Sequence, residues 1–363
     1  MLASRAHVCW FLAQRTPKYK TVISRETERM CVPLRRRCAA KFATVPPGHQ
    51  MNVFDRKAKT RHKNLAASDP DGEVYDYLKS EAGYRLADRV FDIKRKFSVA
   101  VELGCGRGYV GQHLDNEAVE SLIQCDTSEG YLAVCKPPPD VPTTRMVADE
   151  EFLPFPENSV DIFLSSLRQV LSGTPGCLFH FSLHWVNNLP GTFKQIQTAL
   201  KPDGVFLGCV FGGETLYQLR GALQLAETER EGGFGAHISP FVQPQDLGGL
   251  LHQAGFTMLT LDSDELVVNY PTAFHLMTDL KGMAENNASW KRKSHLHRDS
   301  MVAAASVYQQ LYGKEDGTVP ATFHILSFIG WKPHPSQAKP AQRGSQTVSF
   351  RDLASITEPV KKT

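Results

Sequence analysis

Apolar positions recur along this chain with two different periods. From Val74 to Phe91, Leu78, Ala82, Leu86 and Val90 stand four residues apart, the spacing of one face of an amphipathic helix. From Ser98 to Leu103 the run SVAVEL is apolar, rich in β-branched residues and followed by glycines, which predicts a buried strand. Further strands are predicted at Val119–Cys125, Thr143–Ala148, Ser159–Ser165, Gly204–Phe211, Phe256–Leu261 and Ala321–Gly330. Helical patterns lie at Gly191–Leu200, Glu214–Arg230, Gln245–Ala254 and Met301–Tyr312. Alternation of strand and helix implies parallel βαβ units. The fold class expected is therefore α/β: a Rossmann-like, doubly wound, mostly parallel seven-stranded sheet with helical additions after the fifth strand. No internal repeat is visible.

The ends differ from the middle. Residues 1–41 hold ten of the 41 Lys and Arg but only Glu26 and Glu28 as acids, leaving 31 basic and 36 acidic residues in the remainder, a net of −5. An arginine-rich, acid-poor start reads as a mitochondrial targeting segment over residues 1–45, with a disordered basic tail as the alternative. A folded domain is expected over 50–332, and from about Pro333 the chain is rich in Pro, Gln, Ser and Lys, a loose tail over 333–363. The acidic body argues against nucleic acid as a partner. Hydrophobic residues make up 42%, enough for a core, and no run of about 18 apolar residues exists to cross a membrane. Eight cysteines without a CxxC pair suggest neither a disulfide scaffold nor a zinc ribbon.

The chemistry concentrates at Glu102-Leu103-Gly104-Cys105-Gly106-Arg107-Gly108, between a predicted strand and an expected helix. Glycines there allow a sharp turn and close ligand approach to the backbone. The spacing is G-x-G-x-G, and Tyr109 stands where a dinucleotide fingerprint requires another pattern. Asp126, at the end of the second strand, is placed to accept bonds from ribose hydroxyls. Asp149 and Glu150 close the third strand. For each acid a helix cap or a surface carboxylate is the alternative.

With VELGCGRG, ADEEFLPFPENSVDIFLSS and LKPDGVFLG, the chain resembles the class I methyltransferases that bind S-adenosylmethionine. The resemblance implies Gly104, Cys105, Gly106 and Gly108 near the methionine part of the cofactor with Glu102 close by, Asp126 at the ribose, and Asp149 with Glu150 at the adenine. Further segments, NVFDRKAKTRHKNLAA, SLHWVNNLPG, FGGETLYQLRGALQLAETEREGGFGAHISPF and GTVPATF, resemble the mitochondrial complex I assembly factors described as arginine hydroxylases. That resemblance implies a matrix protein peripheral to the inner membrane. It also implies, as substrate, an arginine on an iron–sulfur subunit of complex I, with other assembly factors as partners. The His-Trp and Phe-Gly-Gly segments also resemble the biotin-pathway O-methyltransferases, so methyl transfer stands as the alternative. A non-catalytic assembly chaperone is the third reading.

Hydroxylation usually needs iron or another oxidant. His297-Arg298-Asp299 with His295 or His324, and the pair His180 and His184, are the candidate metal ligands. The plainer reading is a capped helix start for the first and packing or substrate contact for the second, so no metal site is assigned. Related methyltransferases place a lid over the cofactor, which here implies Phe54-Asp55-Arg56 and the Tyr75-Asp76-Tyr77 helix; an exposed polar helix is the alternative. His184 and Trp185 are further substrate candidates. Beyond the fifth strand, Arg220, Glu227, Glu229 and Glu231 form an acidic face able to grip a guanidinium or simply to be solvated. Finally, RQVLSGTPGCLFHF (168–181) interrupts what the resembled family joins directly, as either a cover over the cleft or a segment introduced by the gene model.

Overall fold

The computed structural model describes residues 54–338, except residues 150, 167–186, 240, 284–286, 288, 291 and 294, together with Gly344. The targeting segment, most of the loose tail, the 168–181 insertion, His180, His184, Trp185 and Glu150 lie outside the described residues.

Seven strands form one sheet in the order β3-β2-β1-β4-β5-β7-β6. They are β1 (Ala100–Leu103), β2 (Leu122–Asp126), β3 (Thr143–Val147), β4 (Val160–Ser165), β5 (Leu200–Phe211), β6 (Thr257–Tyr270) and β7 (Val319–Trp331). β1 to β5 pair in parallel, and β7 runs antiparallel to both β5 and β6. The helices are α1 (Arg56–Ser68), α2 (Tyr77–Phe91), α3 (Glu129–Val134), α4 (Leu189–Ala199), α5 (Tyr217–Glu231), α6 (Pro244–Ala254), α7 (Ala273–Met283) and α8 (Arg298–Tyr312).

The sheet is covered on both faces, which is why its central strands read as nearly unbroken apolar runs. Along β5, Val205 and Leu207 join Leu86, Val90, Leu114, Ile162 and Leu164 on one side. Phe206 points the other way, 4.9 Å from the Phe328 ring and 5.8 Å from Phe193 of α4. This is the period of two expected of a strand. A second core gathers Phe211, Leu219, Leu223, Leu276, Leu280, Tyr308 and Phe323 beneath the late helices.

Three expectations change. β6 continues to Tyr270 rather than ending at Leu261. The polar run Asp262-Ser263-Asp264-Glu265 sits on the edge strand, where β7 supplies the ladder and one face meets Arg89 of α2 at 2.6 Å from Asp262. Polarity that looked like a strand end is solvent-facing edge. The helix expected directly after the glycine loop is replaced by turns and one 3-10 turn at Gly111–His113. Gly111 sits in this stretch because a Cβ there would lie 2.7 Å from Gln124 Nε2, and a run so rich in glycine has little helix propensity. α1 was not anticipated, because its buried face is polar: Lys59, Thr60, His62 and Lys63 are all buried.

Candidate functional site

β1 and β4 lie side by side while the chain winds away from them in opposite directions. The carboxyl end of such a pair is where open α/β sheets bind ligands. The glycine loop leaves β1 there. Gly104, Gly106 and Gly108 have φ of 65°, 64° and 85°, the left-handed region that side chains disfavour. Gly108 is also tight, since a Cβ would meet Lys136 O at 2.3 Å. Cys105 N donates to Cys125 O at 2.9 Å, fixing the loop to β2. Cys105 Sγ lies 3.8 Å from Cys135 Sγ.

Glu102 is wholly buried on β1 and accepts from Gln124 Nε2 at 3.0 Å. Asp126, also wholly buried, accepts from Ser128 N at 2.7 Å, from Gly106 N at 3.4 Å and from Lys63 Nζ of α1 at 3.3 Å. Asp149 is half-buried after β3 and accepts from Glu151 N at 2.9 Å. Glu102, Gly104, Cys105 and Gly106 line a cleft of only about 10 Å³ with Asp76, Lys79, Arg107, Tyr109, Tyr131 and Ser166.

Part of its wall is a buried network that the sequence did not reveal. Asp76, at the start of α2, accepts from Lys79, from Arg107 Nε at 3.2 Å and from the Tyr109 hydroxyl at 2.9 Å. Arg107 also donates to Ala66 O of α1 at 3.1 Å and lies over the Tyr131 ring at 5.8 Å. Burial, reinforced by Asp76, raises the Tyr109 hydroxyl well above its ordinary value, so it stays a donor. The clue was present in the sequence: Arg107 and Tyr109 sit inside the glycine motif, where a charged residue must find a partner if it is buried.

The other proposed residues divide between this cleft and a second chamber. Phe54 is buried and bridges Ser289, while Asp55 caps α1 by accepting from Ala58 N at 3.1 Å and pairs with Arg292 at 2.8 Å. Arg56 opens α1. Tyr77 turns to Tyr270 and Asp279, so its hydroxyl belongs to the α2, β6 and α7 junction. Glu227 is wholly buried and binds Lys293 at 2.6 Å, His237 at 2.7 Å and Gly235 N at 2.7 Å. Burial opposes its ionisation, but these three donors outweigh burial and hold its carboxyl below the usual range. Glu231 shares Lys293 at 2.7 Å, so two carboxylates of the acidic face expected to hold a guanidinium share one lysine of the same chain. The chamber beside it has a volume of about 560 Å³ and lies between α1, α5, α7 and the segment 292–296.

Among the described residues no three His, Cys, Asp or Glu side chains converge as a metal site. His297 caps α8, its Nδ1 accepting from Asp299 N at 3.3 Å, in place of the Asp299 or Ser300 cap expected. His324 Nε2 pairs with Ser263 at 2.7 Å on the β7–β6 ladder, and His295 lines the chamber. These residues do not fit an iron ion.

A methyltransferase-domain family model matches residues 75–261. The curated protein named mitochondrial arginine-hydroxylase NDUFAF5 from Rattus norvegicus is 54% identical, covering 88% of this chain and 90% of its own length. The protein of that name from Danio rerio is 55% identical over 84% of this chain and 91% of its own. The chain belongs to the NDUFAF5 arginine-hydroxylase family. It carries the methyltransferase domain within that family. More distant is a malonyl-[acyl-carrier protein] O-methyltransferase of Gallionella capsiferriformans, 27% identical over 78% of this chain and 93% of its own length. Among solved structures, the YcgJ protein of Bacillus subtilis is 13% identical with a TM-score of 0.44, covering 69% of this chain and 98% of that one.

Proposed function

We propose that this chain hydroxylates an arginine of an iron–sulfur complex I subunit in the mitochondrial matrix, working at the inner membrane with other assembly factors. The observation that carries this is sequence identity of 54–55% to proteins named mitochondrial arginine-hydroxylase, over 84–88% of the chain. The basic, acid-poor residues 1–41 support mitochondrial import. No helix among the described residues is long and apolar enough to cross a membrane, which suits peripheral attachment.

The same reading gives the cleft to S-adenosylmethionine. The left-handed glycines, the buried Glu102 and Asp126 at the switch point and Asp149 after β3 are the donors and acceptors such a molecule needs. Glu102 and the loop would hold the methionyl part, Asp126 the ribose and Asp149 the adenine. When bound, the cofactor supplies an electrophilic methyl group on a sulfonium. Lys63 now shares Asp126 Oδ1, so a ribose hydroxyl taking that oxygen must displace its ammonium. The oxidant that hydroxylation requires is assigned to no residue described.

Methyl transfer remains the second reading, favoured by relatives at 26–28% identity named as O-methyltransferases. Peptide mass spectrometry separates the two. The full chain would be incubated with the subunit, S-adenosylmethionine, iron and reductant, omitting each in turn. One added oxygen on an arginine supports hydroxylation, and one added methylene overturns it. No addition with tight binding leaves a chaperone. Asp126→Ala should weaken S-adenosylmethionine binding by about tenfold or more, the worth of a charge-assisted bond; unchanged affinity refutes the ribose placement.

A further inference from the structure

The 560 Å³ chamber has the size of a small-molecule site and an unusual lining. Much of its wall is apolar, with Leu219, Leu223, Ile238, Met277, Leu280 and Leu296. Its polar lining includes the cations Arg61, Lys281, Arg292 and Lys293 and the groups His62 and Ser239, beside His237, Asn287 and His295, and, among the described residues, no carboxylate. Two of these cations are already matched, Arg292 by Asp55 and Lys293 by Glu227 and Glu231. Arg61 and Lys281 have no carboxylate partner among the described residues.

Three polar atoms on this wall are buried and lack a hydrogen-bond partner among the described residues: Arg61 Nε, His62 Nδ1 and Ser239 Oγ. His62 is 1% exposed and Ser239 3% exposed. Native proteins rarely leave such atoms unmet, and each group is able to donate to an anionic oxygen. Arg61 donates through Nε, Ser239 through its hydroxyl, and neutral His62 through Nδ1–H in one tautomer. The surrounding positive charge rejects a guanidinium and favours an anion.

We propose that this chamber binds a carboxylate, gripped by Arg61, His62 and Ser239, with its carbon skeleton against the Leu219–Leu280 wall. The carboxylate comes from a small organic acid or from an acidic side chain of the protein substrate. On the hydroxylase reading, the chamber seats an acid that accompanies the target arginine and not the arginine itself. Binding is read directly, so the outcome is separable from whether the chain oxidises or methylates.

The test is calorimetric titration of the full chain with glutarate, with its neutral diamide, with acetyl-Gly-Glu-Gly-amide and with the corresponding glutamine peptide. At least one acid should bind about tenfold or more tightly than its neutral counterpart, as a charge-assisted contact requires. The stronger of the two acids identifies the source. Arg61→Gln should remove that preference, and Ser239→Ala should reduce it. If Arg61→Gln does not fold, Lys281→Gln serves, because Lys281 is exposed and its loss should still narrow the acid-to-amide ratio. Three results overturn the proposal: no acid preferred over its amide, a preference untouched by all three substitutions, or acetyl-arginine-amide binding the wild-type chain as tightly as the acids.

Discussion

Replacing Gly108 by Ala tests whether the glycine loop is held by geometry or only by composition. Two effects add. The φ of 85° costs an L-residue about 1–2 kcal/mol. The new Cβ would stand 2.3 Å from Lys136 O and 3.1 Å from Cys135 Sγ. Relief to ordinary contact requires a shift of about 1 Å, which strains the adjacent bond from Lys136 N to Arg107 O at 2.8 Å, worth about 1 kcal/mol. The expected loss is about 3 kcal/mol, or about 6 °C in melting temperature for a domain of this size. Two controls separate the parts. Gly232 has a φ of 72° with nothing within 4 Å of a Cβ, so Gly232→Ala should cost only the backbone strain. Gly249 is exposed within α6 with an equally open surround, so Gly249→Ala should stabilise by about 0.5–1 kcal/mol. Scanning fluorimetry of the full chain gives the order, and S-adenosylmethionine should protect the Gly108 variant least. If Gly108→Ala and Gly232→Ala melt together, the close approach to Lys136 is wrong.

Asp76→Asn should cost about 3–5 kcal/mol in urea unfolding, because it breaks a buried ionic cluster with Lys79 and Arg107; a cost under about 1 kcal/mol would show that the network is not formed. His62 is held to about 2, chiefly by burial and then by Lys59, Lys63 and Arg292, against an ordinary 6.5. Only the unfolded chain takes up this proton as the pH drops below 6.5, so stability should fall by about 2 kcal/mol between pH 7 and pH 5, and His62→Gln should remove that share of the loss. For Glu227 the folded carboxyl titrates below its ordinary 4.5, so its contribution is present above that value and lost as the pH falls through the lower one. Glu227→Gln should flatten the acid limb of the stability curve, and an unchanged limb would refute the Lys293 clamp.

The sheet was legible because its strands obey a strong rule. Strands buried on both faces read as nearly continuous apolar runs, as in Val205–Phe211 of β5, with Glu102 in β1 and Asp161 in β4 as the charged interruptions. Asp126 could be found because a strand end fixes where its side chain stands. Legibility failed where burial is polar. α1 carries Lys59, His62 and Lys63 on its covered side, so no apolar stripe announces it. Beyond Lys79 one turn on, Asp76 gave no local sign of its partners, since Arg107 and Tyr109 lie more than thirty residues away. Glu227 read as one of several surface acids because Lys293 reaches it across 66 residues.

Those failures share a cause. The elements around the cleft and the chamber are tied across the fold by ion pairs that no apolar pattern announces: Lys63 to Asp126, Arg107 to Asp76, Arg292 to Asp55 and Lys293 to Glu227. Pairs of this kind add little net stability, because desolvation offsets their attraction, yet breaking one is costly. They therefore fix position more than they hold the domain together. α1 shows the consequence most clearly. One side of it reaches Asp126 through Lys63 and receives the Ser128 hydroxyl on Asn64 at 2.7 Å. The other lines the chamber through Ala58, Arg61 and His62. A single polar helix thus forms the wall between the glycine-loop cleft and the cationic chamber. A helix seated by an apolar stripe could bury itself just as well, but it could not present a cation to Asp126 on one side and unmet donors to a ligand on the other.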